Sequence, residues 1–121
     1  MERVGPFRLG RRIGSGGMGE VFEGTRGPLQ VAVKLVHASL AQRSASREAF
    51  RSEVRAVASL DHPAIVRVYD HGEHQDRPYL VMELLSGRCL DAQLGRLGWG
   101  RCRAALLTLL DALAHAHARG V

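Results

Sequence analysis

The sequence predicts an α+β fold, in which a five-stranded antiparallel sheet with one long helix precedes two further helices. Three observations predict it. Short valine-rich runs bounded by turn residues recur through the first part of the chain, as in a sheet. A helical periodicity interrupts them once, between Ser46 and Leu60. After Ser86-Gly87 only helical patterns remain, so we expect two units, residues 1–85 and 86–121.

The first three predicted strands follow one another closely. Phe7 to Ile13 alternates apolar and basic residues, and Glu20 to Gly24 alternates again after a glycine-rich segment. Leu29 to Val36 is a third and strongly apolar strand. Because glycines favour positive φ and weaken regular elements, the segment between the first two strands is predicted to be a tight hairpin turn.

The helix that follows is predicted from an apolar stripe at positions i, i+3, i+4 and i+7, which are Phe50, Glu53, Val54 and Val57. Asp61-His62-Pro63 ends it, because the residue before a proline leaves the helical region. Two more strands are then predicted, Ile65 to Asp70 and Pro78 to Glu83, joined by the polar stretch Gly72-Glu73-His74.

Two helices complete the predicted fold. Leu90 to Leu94 is a short one, and Arg101 to Arg119 is a long one that begins after Trp99. The long helix has a stripe that we expect to be core, formed by Leu106, Leu109, Leu110, Leu113 and His117.

Composition excludes several function classes. The net charge of +5 comes from scattered arginines, without the basic block and interleaved aromatics of a nucleic-acid interface. No apolar run reaches the length of a membrane span or a signal peptide. Cys89 and Cys102 match no metal or redox spacing, so we expect no metal site and a reducing, cytoplasmic location.

Lys34 is the single lysine among 17 lysine and arginine residues. An ammonium is a compact point charge, whereas a guanidinium is a broad planar fork. A retained lysine therefore favours a narrow site for an anion, such as a phosphate pocket. The alternative is that one lysine simply falls at the end of a strand.

Gly14, Gly16 and Gly19 form the spacing G-x-G-x-x-G. In a dinucleotide-binding fold these glycines would open a helix, but the strand pattern Glu20-Val21-Phe22 follows them here. We therefore predict a flexible hairpin tip, whose free backbone N–H groups suit triphosphate oxygens. A merely mobile turn is the alternative.

Glu53 lies on the apolar stripe of the predicted helix, between Phe50 and Val54. A buried carboxylate without a partner is costly, so it should meet a cation, and the neighbouring strand offers Lys34. The alternative is a glutamate at the rim of the helix that pairs with Arg51 or Arg55 and contributes little.

The order of these motifs resembles the small lobe of eukaryotic-type protein kinases, and most closely that of the bacterial serine/threonine kinases. The resemblance covers about Phe7 to Val121 and is specific because the motifs occur together in order. Its motifs are the Gly14–Gly19 loop, Val31-Ala32-Val33-Lys34, Glu53, His62-Pro63-Ala64-Ile65-Val66 and Tyr79-Leu80-Val81-Met82-Glu83.

The resemblance implies an ATP site. Lys34 would contact the α- and β-phosphates beneath the glycine loop and pair with Glu53. Met82 would be the gatekeeper, and the backbones of Glu83 and Leu85 would bond the adenine edge. Ile13, Val21 and Ala32 would enclose the adenine, and Val57 and Val68 match small-lobe members of the regulatory spine. The implied binding residues are Ile13, Gly14, Ser15, Gly16, Gly17, Met18, Gly19, Val21, Ala32, Lys34, Glu53, Met82, Glu83 and Leu85.

The sequence departs from the family pattern in two places. Cys89 stands where many relatives have a polar residue facing the ribose, and Glu83-Leu84-Leu85 lacks the aromatic residue that is common after the acidic one. We expect the second departure to matter little.

The family's catalytic motifs do not occur in these 121 residues. The His-Arg-Asp loop, the asparagine for a second metal and Asp-Phe-Gly are missing, so we expect no catalytic residue in the chain and Mg²⁺ only in a full-length kinase. We accordingly expect no phosphotransfer to protein by the chain alone. Three interpretations stay open: a piece of a kinase, a small nucleotide-binding or kinase-regulating protein, and a member of another nucleotide-binding family. In the first, the leucine stripe lacks its covering lobe, so the isolated chain should self-associate.

Overall fold

The computed structural model describes residues 2–87, 89–90 and 93–121. It has six strands, namely β1 (Arg3–Val4), β2 (Phe7–Ser15), β3 (Gly19–Arg26), β4 (Leu29–Val36), β5 (Val68–His74) and β6 (Arg77–Glu83). The helices are α1 (Ala38–Ala41), α2 (Ser44–Ala58) and α3 (Trp99–Ala118), with a 3-10 turn at Leu94–Arg96.

The strands form a single antiparallel sheet in the order β1-β2-β3-β4-β6-β5. The predicted sheet-plus-helix architecture is confirmed, with two additions. β1 is a sixth strand, paired with β2 through Val4 and Phe7, and α1 is an additional short helix before α2. β1 has two residues and α1 has four, and segments this short show no periodicity from which they could be predicted.

Packing on the two faces of the sheet decides which way Lys34 points. One face is covered by a core cluster that includes Val31, Val33 and Leu35 from β4. The other face carries Val36 and packs against α2. Because successive side chains of a strand alternate between faces, Lys34 lies on the face of Val36 and is directed toward α2.

The hairpin between β5 and β6 differs from the prediction. Gly72, Glu73 and His74 belong to β5, which starts later and runs further than the predicted Ile65 to Asp70. The turn is Gln75-Asp76, between the paired residues His74 and Arg77. Both turn residues have positive φ, 51° and 62°. Asp76 tolerates this conformation, but the turn lacks the glycine or asparagine that gives the usual strong signal.

Polar contacts join α3 to the segment between α2 and β5. His62 Nε2 lies 2.8 Å from Asp111 Oδ2, and the backbone N–H of Asp61 donates to His115 Nε2 at 3.3 Å. Desolvation lowers the pKa of His115, with Arg119 and His62 adding to the effect, which favours the neutral ring that accepts this bond. No helix within the described ranges is long and apolar enough to cross a bilayer.

The predicted core stripe of α3 is not buried by the described residues. Leu106, Leu109, Leu110 and Leu113 are between 42% and 59% exposed, and His117 is exposed as well. Ala112 is the buried residue of this helix. In the predicted short helix Leu90 to Leu94, Leu90 has 3-10 conformation and Leu94 begins the 3-10 turn Leu94–Arg96, while residues 91 and 92 lie outside the described residues.

Replacing the turn pair by Gln75→Asn with Asp76→Gly should stabilise the protein. Both residues have left-handed backbone conformations, which Asn-Gly adopts at lower cost. We expect the free energy of unfolding in urea to rise by about 1 kcal/mol. An unchanged or lower value would contradict the β5–β6 register.

The isolated chain should self-associate through the leucine face of α3. Light scattering of Leu109→Glu with Leu113→Glu should show a smaller average mass than the unmodified chain, because two charges would then occupy the apolar face. Ala104→Glu with Thr108→Glu is the matched control, since these exposed positions lie on the opposite side of the helix. A monodisperse monomer of the unmodified chain would contradict the prediction.

Candidate functional site

An ion pair between β4 and α2 lies at the centre of the site. Lys34 Nζ donates to Glu53 Oε1 at 3.0 Å, as predicted. The expectation that Glu53 is buried is wrong, because its side chain is 41% exposed and that of Lys34 is 25% exposed. The alternative partners of Glu53 are occupied elsewhere: Arg55 contacts Glu48, and Arg51 contacts Glu48 and Glu73.

α2 presents Glu53 to the sheet through its apolar stripe. Phe50 and Val54 are 2% and 5% exposed and pack with Val36 and Leu80. Glu53 lies beside them at the edge of this contact, which explains its partial exposure. Glu53 is thus the polar residue of the stripe. It faces the sheet beside the apolar contact, where Lys34 is its partner.

The glycine-rich segment is the tip of the β2–β3 hairpin. β2 extends to Ser15, β3 begins at Gly19, and Ser15 pairs with Glu20. The backbone N–H of Gly16 donates to the Gly19 carbonyl at 2.9 Å and closes the tip. A strand follows the glycines where a dinucleotide-binding fold would have a helix, so the structure excludes that alternative.

The loop glycines have two different physical roles. None of them is among the glycines with positive φ, which are Gly5, Gly27, Gly87 and Gly120, so the predicted conformational reason is wrong. A Cβ on Gly19 would lie 2.2 Å from the Leu35 carbonyl oxygen, so Gly19 allows close strand approach. A Cβ on Gly16 or Gly17 would meet no atom within 4 Å, which leaves that part of the backbone open.

Met18 and His37 attach the loop to the rest of the lobe. The Met18 side chain packs against the cluster that contains Phe50, and its carbonyl accepts from the His37 backbone N–H at 2.9 Å. His37 Nε2 lies 3.0 Å from the Gly16 carbonyl oxygen, and its Nδ1 lies 3.7 Å from Glu20. Sequence reasoning missed His37, because its contact joins residues 21 positions apart without a recognisable motif.

Strand register brings the predicted adenine residues toward Lys34. Val21 pairs with Lys34, and Ala32 pairs with Met82. Paired residues of adjacent strands share a face, so these four side chains lie on one side of the sheet. Ile13, near the end of β2, is 42% exposed on the same hairpin.

The segment after β6 is the predicted adenine edge. The Glu83 backbone N–H donates to the Arg67 carbonyl at 2.8 Å, and the Glu83 carboxylate accepts from the Arg67 N–H at 3.2 Å. This occupies the N–H of Glu83, so a ligand would reach its carbonyl instead. Leu85 is 67% exposed and has no regular structure around it.

The far flank of α2 carries a second ionic contact with the sheet. The guanidinium groups of Arg47 and Arg51 both donate to Glu73 Oε1 of β5, the second at 3.2 Å. These bonds hold the pKa of the Glu73 carboxyl below its ordinary value, with Arg47 the larger cause. Within the described residues, no cluster of three His, Cys, Asp or Glu side chains could hold a metal ion.

Comparison with known proteins decides the family. The profile of the protein kinase domain matches residues 7–121. The chain belongs to the protein kinase family. Serine/threonine-protein kinase Pkn1 of Myxococcus xanthus is 43% identical over 122 residues, which cover 98% of this chain and 18% of Pkn1. PknA of Mycobacterium tuberculosis is 41% identical over 127 residues, which cover 97% of this chain and 30% of PknA.

Solved kinase structures agree. The crystal structure of the Mycobacterium tuberculosis PknI kinase domain superimposes with a TM-score of 0.77 at 28% identity. The match covers 96% of this chain and 49% of the PknI chain. The predicted resemblance to bacterial serine/threonine kinases and the predicted small-lobe fold are therefore confirmed, whereas the third interpretation, another nucleotide-binding family, is not supported. The chain spans less than a third of the length of Pkn1 or PknA.

Gly19→Ala should destabilise the kinase chain, whereas Gly16→Ala should not. The new Cβ at position 19 would collide with the Leu35 backbone, and forced overpacking costs about 1–3 kcal/mol. The Cβ at position 16 enters open space, so we expect a change within about 0.5 kcal/mol. Urea unfolding of both variants measures the difference, and equal stabilities would contradict the observed hairpin geometry.

Proposed function

We propose that this chain is the ATP-binding part of a bacterial serine/threonine protein kinase. The observation that carries the proposal is the 3.0 Å Lys34–Glu53 ion pair, which lies on the sheet face reached by the glycine hairpin. An ammonium held by one carboxylate keeps its other two N–H groups for an anion. Its partial exposure leaves it open to a ligand from solution.

Each part of the site has a role in this proposal. The hairpin tip covers the phosphates: the N–H of Gly16 closes the tip on the Gly19 carbonyl, and the N–H groups of Gly17 and Met18 bind phosphate oxygens. Lys34 binds the α- and β-phosphates. The adenine lies between Ile13 and Val21 on one side and Ala32 on the other, against Met82. Its edge bonds the Glu83 carbonyl and the backbone of Leu85.

Protein kinases in general use ATP with Mg²⁺ and phosphorylate proteins. We propose that residues 1–85 form the ATP-binding lobe and that residues 86–121 begin the helical lobe. Phosphoryl transfer to a protein serine or threonine, and the Mg²⁺ it requires, then depend on motifs that these 121 residues do not contain. Because ATP is a cytoplasmic metabolite, the proposal implies a cytoplasmic location.

ATP should stabilise the chain through Lys34. At about 100 times Kd, a ligand adds about 2.7 kcal/mol to the free energy of unfolding, which is measured as a shift in Tm. Lys34→Met should weaken ATP binding by about tenfold or more, because a charge-assisted hydrogen bond to phosphate is lost. Isothermal titration with ATP gives the two affinities.

Arg26→Met is the matched control, since it removes one exposed cation at the far end of β3. It should bind ATP as the unmodified chain does. Absence of any ATP-dependent stabilisation of the unmodified chain would contradict the proposed function. Equal loss of affinity in Lys34→Met and Arg26→Met would show that ATP affinity depends on the net charge of the chain and not on this site.

A further inference from the structure

Glu73 is the one contact point on β5 for two arginines from successive turns of α2. Arg47 Nη2 and Arg51 Nη2 both donate to Oε1 of Glu73. The side chains of Arg47 and Glu73 are 28% and 41% exposed, so this contact is partly shielded from solvent. It links α2 to the sheet across more than 20 residues of sequence.

The Glu73 contact and the Lys34–Glu53 pair lie on opposite flanks of α2. At about 100° per residue, Arg47 and Glu53 project about 60° to either side of the buried Phe50. On the Arg47 flank the helix supplies the cation and the sheet supplies the anion, Glu73. On the Glu53 flank the helix supplies the anion and the sheet supplies the cation, Lys34. Rotation of α2 about its axis in either direction would therefore break one of the two ion pairs.

Two apolar side chains anchor α2 to the sheet. Phe50 and Val54 are its buried residues, and Arg43 at its N-terminal cap makes no side-chain capping bond. A solvent-open groove of about 270 Å³ lies between the helix and β5–β6, lined by Phe50, Val54, Glu73, Pro78 and Tyr79, among others. Two buried side chains four residues apart leave the rotation of the helix about its axis to be fixed by the ionic contacts at its flanks.

We propose that Glu73 is a positioning residue, which fixes the rotation of α2 through Arg47 and Arg51 and so presents Glu53 to Lys34. Glu73 itself touches neither Lys34 nor the expected ligand. The consequence for ATP affinity rests on the proposed function, whereas the effect on the Lys34–Glu53 pair does not.

The single lysine makes a direct test possible. An amine-acylating reagent modifies only Lys34 and the N-terminus, and mass spectrometry of peptides separates the two. Without ATP, Glu53→Gln should speed acylation of Lys34 and define the rate of the unpaired amine. Glu73→Gln should raise the rate by about threefold or more toward that limit, as expected for loss of an ionic coupling.

Glu48→Gln is the matched control. Glu48 also contacts two arginines, Arg51 and Arg55, but all three lie on α2, so the substitution removes ion pairs without releasing the helix from the sheet. Its Lys34 acylation rate should equal that of the unmodified chain. Equal rates for Glu73→Gln and Glu48→Gln would overturn the proposal.

Charge reversal separates positioning from general destabilisation. Glu73→Arg combined with Arg47→Glu and Arg51→Glu restores attraction across the same gap and should return the acylation rate to within about twofold of the original. Rapid acylation in this variant, with an unfolding midpoint equal to that of the unmodified chain, would contradict the proposal. If Glu73→Gln lowers the midpoint strongly, the charge-reversed variant remains the deciding measurement.

A parallel titration with ATP distinguishes the two proposals. Glu73→Gln should weaken ATP binding by a factor similar to its effect on acylation, and Glu48→Gln should not. If no variant or unmodified chain binds ATP, the proposed function fails while the acylation result still decides the role of Glu73. If ATP binds equally to all three while acylation differs, Glu73 positions Glu53 without affecting the nucleotide.

Discussion

The Lys34–Glu53 ion pair is the contact on which the arrangement of the site depends, because it joins the two elements that otherwise meet only through a small apolar patch. Strand alternation directs Lys34 toward α2, and the stripe of α2 places Glu53 opposite it. The pair is partly exposed, so its intrinsic contribution to stability is small, about 1 kcal/mol or less. Its importance lies in orientation, since it fixes an ammonium below the glycine hairpin.

The neighbouring elements are held to this centre by contacts of different strength. The glycine hairpin is anchored at both ends of its tip, through Met18 on the core and through His37 on the Gly16 carbonyl, while Gly16 and Gly17 remain open. α2 is anchored to the sheet by its two buried side chains, Phe50 and Val54, and the ion pairs on its two flanks constrain its orientation. The ion pairs therefore act on the orientation of the helix, which decides where its charged group lies.

α3 has an apolar stripe that the described residues do not bury. Its leucine stripe is as regular as that of a core helix, yet the described residues leave it exposed. An apolar stripe of this kind is typical of a helix that packs against another element, and this chain matches about half of the PknI chain. The polar contacts of His62 and His115 hold the helix in place without covering its apolar face.

The order of the main elements, the hairpin at the glycines and the pairing of Lys34 with Glu53 could all be predicted from the sequence. These follow from periods of 2 and 3.6 residues and from the need of a carboxylate for a cation, which are local properties. Tertiary structure alone decided that Glu53 is half-exposed, that Gly19 is required by Leu35, and that Glu73 binds two arginines of α2. Those features depend on how closely distant segments approach one another, and no spacing along the chain encodes that distance.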